Sequence, residues 1–108
     1  LKKHGDNYMI QRNQEKGLVP VARVEDPESG RIMAVESTEA CLQFYTGAFL
    51  HEAEAIGKGG KLYKPHDGLC LECQGYPDGV NHPEIDNIIL RPGETYNQTT
   101  IYRFSCAG

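Results

Sequence analysis

The chain has no excess of basic residues, no long apolar run and no internal repeat, and each absence removes a class of function. Lys and Arg number 11 against 15 Asp and Glu, a formal net charge of −4. Phosphate backbones are gripped by clustered cations, and no such cluster occurs, so no nucleic-acid partner is expected. No apolar stretch approaches the roughly 18 residues of a membrane span, so no membrane partner is expected either. A basic-then-apolar leader is also missing, so nothing marks the segment for secretion. The first residue is Leu1, not Met, so the chain reads as a fragment or processed piece. Its 108 residues make one domain at most, and no linker or low-complexity tract divides them, so 1–108 reads as a single segment.

Cysteines are few. Of the four, Cys70 and Cys73 have C-x-x-C spacing, and Cys41 and Cys106 form no second such pair. On an extended strand, residues three apart face opposite ways and lie about 10 Å apart. A disulfide needs Cα atoms within about 7 Å, and zinc needs its ligands within about 2.3 Å. The expectation is small buried thiols in a reducing, cytoplasmic compartment, with no metal and no cofactor. A metal or redox module on the four cysteines is the competing reading.

What is present is a series of short strands separated by turns. Candidates are Asn7 to Gln11, Val19 to Glu25, Arg31 to Ser37 and Cys41 to Thr46. A polar turn ends at Lys16-Gly17 after the first. Asp26-Pro27-Glu28-Ser29-Gly30 joins the second and third strands as a hairpin, with Pro at the second turn position and Gly at the exit. His51 to Ile56 has the makings of a helical turn, which Gly57-Lys58-Gly59-Gly60 ends. Later candidates are Gly68 to Gln74, Ile88 to Leu90, and Thr95 to Ser105. On the last, Tyr96, Gln98, Thr100, Tyr102 and Phe104 share a face. Strands spaced this way predict an all-β sandwich or barrel.

Glu72 stands out, a carboxylate inside the apolar strand Gly68-Leu69-Cys70-Leu71-Glu72-Cys73-Gln74. An acid there must be solvated, paired or chemically employed. Alternation puts Leu69, Leu71 and Cys73 on a core face and Cys70, Glu72 and Gln74 on the other. Two long loops, Ala48 to Asp67 and Gly75 to Asn87, flank this strand, and loops of such length usually serve a site. Pairing of Glu72 with Lys61, Lys64 or Arg91 is the structural alternative.

Several segments in order resemble the aldose 1-epimerase (galactose mutarotase) family. They are Gly5-Asp6-Asn7-Tyr8, Pro27-Glu28-Ser29-Gly30-Arg31, Gln43-Phe44-Tyr45-Thr46-Gly47-Ala48-Phe49-Leu50 and Gly68-Leu69-Cys70-Leu71-Glu72-Cys73-Gln74. Pro77-Asp78, Asn81-His82-Pro83 and Leu90-Arg91-Pro92-Gly93-Glu94 complete the match. The resemblance implies the C-terminal third of a large antiparallel β-sandwich. It implies that Glu72 is the general base, that Gln43 contacts the sugar, and that an Asp near Asp6 binds sugar hydroxyls. Aligned on Asn7-Tyr8, Gly5 stands where the family has Asp and Asp6 where it has His. Ala48 replaces an Asn, and Cys73 a Thr.

Mutarotation needs a base for the C1 hydroxyl proton and an acid for the ring oxygen. A carboxylate shielded by leucines is more basic than a free one, which suits Glu72 to the first task. Gln43 can donate and accept at once, as a sugar hydroxyl does. Phe44, Tyr45, Phe49 and Tyr76 are candidates for an apolar wall. The resemblance places the acid on histidines outside this chain, and His4, His51, His66 and His82 match no such motif. The partner implied is a small aldose, and the isolated segment is expected to have little activity. A non-catalytic carbohydrate-binding β-sandwich is the alternative function. Oligomeric state has no signature here, but a partial sandwich would leave strand edges unpaired.

Overall fold

The computed structural model describes residues 4–13 and 16–108; Gln14 and Glu15 of the expected polar turn lie outside the described residues. Six strands form: β1 (Asp6–Met9), β2 (Val19–Glu25), β3 (Arg31–Ser37), β4 (Cys41–Tyr45), β5 (Cys70–Gln74) and β6 (Thr100–Cys106). Two short 3-10 turns, Leu50–Ala53 and Lys58–Gly60, lie between β4 and β5. The strands make two three-stranded sheets, ordered β1-β4-β5 and β2-β3-β6, with every pairing antiparallel. The chain is all-β, as its turn spacing predicts.

The β2–β3 hairpin shows why these residues turn where they do. Asp26 accepts hydrogen bonds from the Glu28 and Ser29 amides and from the Ser29 hydroxyl, and Gly30 leaves the turn with φ of +73°. The Ser29 hydroxyl, foremost, holds the Asp26 carboxyl below its usual range. Pro20 lacks an amide donor and sits at an irregularity in edge strand β2, where a missing ladder bond costs least.

Where the sheets face each other, Val35 of β3 packs with Leu42 of β4 and Leu71 of β5. Tyr102 of β6 reaches across and donates its hydroxyl to the Leu71 carbonyl at 2.8 Å, tying one sheet to the other. Arg12 fastens the opposite end, donating to the carbonyls of Gly17, Ser37 and Glu39. Nearby, the Tyr96 hydroxyl donates to the buried Glu39 carboxylate.

This core is small for the chain. The accessible surface is 8295 Å², against roughly 6000 Å² for a compact monomer of this mass. The radius of gyration is 16.6 Å, against about 13 Å for a compact domain of this length. Tyr8 lies opposite Leu42, and Phe104 opposite Met33, on faces that continue the core, yet both are exposed. Strands β1, β5, β2 and β6 each leave one edge unpaired.

Three expectations need correction. Ile88 to Leu90 is not a strand; no neighbouring strand offers it a ladder, and its side chains line a cavity instead. The last strand begins at Thr100, not Thr95, because Thr99 is held in a reciprocal turn contact with Thr38. Leu69 precedes β5 and is exposed, so the core face of that segment is carried by Leu71 and Cys73.

That last difference is measurable. Leu71→Ala is expected to destabilise by about 2–5 kcal/mol in urea unfolding, and Leu69→Ala by about 0.5 kcal/mol or less. Alkaline pH probes the other end of the fold. The bond to Glu39, foremost, pushes the Tyr96 phenol up from 10.0 to about 12. Since the folded value lies above the unfolded one, this contribution is complete below pH 10 and is lost as pH rises toward 12. Phenolate absorbance should show a tyrosine ionising near the upper limit, absent in Tyr96→Phe.

Candidate functional site

Antiparallel register brings the site residues together. Gln43 is directly opposite Glu72, and Asn7 directly opposite Gln43, so the three side chains share a level and a face of the β1-β4-β5 sheet. Tyr45 and Cys70 are paired next to them on that same face. The other face carries Leu42, Phe44 and Leu71 toward the core.

Both flanking loops close over the polar face. Tyr45 accepts the Phe49 amide on its hydroxyl at 2.8 Å, which sets the start of the first loop. Gly47, at φ +76°, accepts the amides of Leu50 and His66 on its carbonyl, and an added Cβ would fall 2.3 Å from the Gly68 carbonyl oxygen. Only glycine permits this approach of the loop to the start of β5. In the second loop Asp86 accepts the Tyr76 amide at 2.9 Å. His82 lies between Asp78 and Glu84, at 3.3 and 3.1 Å.

The result is an open cavity of about 660 Å³ lined by Gln43, Tyr45, Phe49, Glu52 and Glu72, with His4 and Gln74 at its margins. Glu72 is exposed, so the shielding by leucines expected from the sequence is not found: Leu71 points into the core and Leu69 away. Among the described residues its carboxylate has no ion pair or hydrogen bond, and Lys61, Lys64 and Arg91 do not pair with it. Gln43 donates from Nε2 to the His4 carbonyl at 2.5 Å. The Tyr102 phenol behind β5 is pushed up by burial, with the Cys73 and Glu72 charges adding to it.

Other nominated residues fall elsewhere. Asp6 is opposite Phe44, which places it on the core-side face, away from Gln43 and Glu72. Phe44 packs against the core rather than forming a wall, and Tyr76 lines a separate cavity of about 800 Å³. That larger cavity, between Glu39, Asp86, Ile88 and Tyr96, holds none of the paired site residues. His66 bonds the Thr46 carbonyl, His51 sits exposed in a 3-10 turn, and His82 is held by its carboxylates. His4 and Glu52 line the Glu72 cavity although no pattern in the sequence marks them; both are brought by non-repeating backbone.

The cysteines are free. Cys70 faces the cavity and Cys73 the core. Cys41 is fully buried, its thiol donating to Met9 Sδ at 3.3 Å, and burial pushes it up. Among the described residues no cluster of three His, Cys, Asp or Glu side chains is arranged to hold a metal. No helix among them is long and apolar enough to cross a membrane.

Comparison with known proteins identifies the family. The family model described as aldose 1-epimerase matches residues 3–103. Over 101 residues the chain is 46% identical to "Galactose mutarotase" of Rattus norvegicus and 44% to that of Homo sapiens, with 94% of the chain covered. It is 34% identical to "Aldose 1-epimerase" of Escherichia coli (strain K12), with 92% covered. In each case it spans 29% of the relative's length. With its two antiparallel sheets and a match over nearly its whole length, the chain belongs to the aldose 1-epimerase family.

Proposed function

We propose that this chain is the C-terminal third of a mutarotase β-sandwich and carries the general-base side of its active site. The substrate is a hexose such as galactose or glucose, and the reaction interconverts its α and β anomers. Glu72 takes the proton of the C1 hydroxyl while the bond between C1 and the ring oxygen breaks. An acid delivers a proton to that oxygen, giving the open-chain aldehyde. Rotation about the C1–C2 bond and reclosure, with the proton transfers reversed, yield the other anomer. Gln43 holds a hydroxyl beside the reacting carbon, and Tyr45 and Phe49 offer ring faces to the sugar.

The observation that carries this reading is the direct pairing of Gln43 with Glu72, whose carboxylate has no partner among the described residues, at an open cavity in a chain of this family. The acid comes from histidines in the part of the domain that this chain does not span. Free thiols suit a cytoplasmic setting.

Polarimetry of freshly dissolved α-galactose tests both halves. The isolated chain should not accelerate mutarotation beyond buffer; acceleration abolished by Glu72→Gln would overturn the dependence on a missing acid. Placed in the rat mutarotase in place of its matching 101 residues, the chain should support catalysis. There Glu72→Gln should lower kcat by roughly 10²–10⁴-fold. An unchanged kcat would remove Glu72 from the role of base.

The cavity lining also predicts selectivity. It includes the carboxylate of Glu72 and, among the described residues, no Lys or Arg. A dianionic sugar phosphate meets like charge there, so it should compete with galactose about tenfold more weakly than glucose does. Equal inhibition by glucose and glucose 6-phosphate would contradict that.

A further inference from the structure

On the face of Glu72 the β1 strand carries Asn7 and Met9, and the one polar side chain of the two is not the acid that the sequence nominates. Asp6 is opposite Phe44 on the core-side face, whereas Asn7 is opposite Gln43, which is opposite Glu72. Position 5 would share the face of Asn7, but it is a glycine at φ +79°, and an added Cβ would fall 2.1 Å from the Phe44 carbonyl oxygen. No side chain fits there. Asn7 is exposed, and among the described residues its amide has no hydrogen bond.

Strands lie about 4.8 Å apart, so the row Asn7–Gln43–Glu72 extends roughly 10 Å across the sheet. That length suits a hexopyranose with its hydroxyls lying along the row. With the anomeric carbon at Glu72, the far side of the ring meets Asn7. A carboxamide both donates and accepts, which matches a hydroxyl that must do both. We propose that Asn7 is a substrate-contacting, specificity-determining residue that binds one ring hydroxyl remote from the reacting carbon, at C3 or at C4. The assignment rests on the proposed function, since it needs the C1 end fixed at Glu72.

The test uses the rat mutarotase carrying this chain in place of its matching residues. Asn7→Ala should raise KM for galactose roughly three- to tenfold with kcat within about twofold, the size expected for losing one exposed hydrogen bond. Asp6→Ala should leave both within about twofold. On 3-deoxy- or 4-deoxygalactose, whichever lacks the bonded hydroxyl, Asn7→Ala should cost nothing further. A purely structural role for Asn7 would not show that dependence on the sugar. If the parent hybrid is active and sensitive to Glu72→Gln while Asn7→Ala changes no KM, this inference fails and the proposed function stands. The same holds if the penalty is equal on all three sugars. A parent hybrid that neither turns over nor binds galactose overturns the proposed function and this inference together.

Discussion

The pairing of β4 with β5 sets both the core and the site, because side chains on a strand alternate with a period of two. With Gln43 opposite Glu72, Leu42 and Leu71 must face the other sheet. A slip of β5 by one residue would exchange the two sets. It would turn Leu71 to solvent, losing about 1.5–3 kcal/mol for that side chain alone. It would also drive an unpaired carboxylate into an apolar layer, costing several kcal/mol more or forcing it to take up a proton. The same force that hides the leucines therefore presents the polar pair. Gly47 and the Tyr102 bond to the Leu71 carbonyl hold the strand at its entrance and from behind.

The other governing feature is exposed apolar surface. Six strands bury few side chains fully, and the surfaces around Tyr8 and Phe104 continue the core faces without a covering layer. The chain spans 29% of its relatives' length, and these apolar faces lie open among the described residues. Glu72 shares that exposure, so its carboxylate meets water rather than the apolar layer behind it. An open polar face and open apolar faces thus occur together in these six strands.

Local sequence carried much of the architecture. Val19–Glu25 and Arg31–Ser37 lie where their alternation and the Asp-Pro-Glu-Ser-Gly turn require, since a tight turn fixes both ends of a hairpin. Ile88 to Leu90 has strand-like composition but no partner, and a strand is a property of a pair. Within β5, alternation was enough to separate Glu72 from Leu71. Between strands it was not: whether Asp6 or Asn7 joins Gln43 depends on register, which β1 alone does not encode. His4 and Glu52 come from irregular backbone, whose side-chain directions follow no period, so nothing in their spacing could nominate them.

Gly5 shows how a local backbone requirement decides which side chains reach a shared level of the sheet. A residue with a side chain there would collide with the Phe44 carbonyl, so β1 could not approach β4 as closely while carrying an acid at that level. The positive φ also turns the chain so that the His4 carbonyl comes to lie against the Gln43 amide. Gln43 is thereby held by its nitrogen, and its side chain is ordered by a contact within this sheet. A glycine that removes one contact thus orients the next, and the polar row remains continuous across the sheet from Asn7 to Glu72.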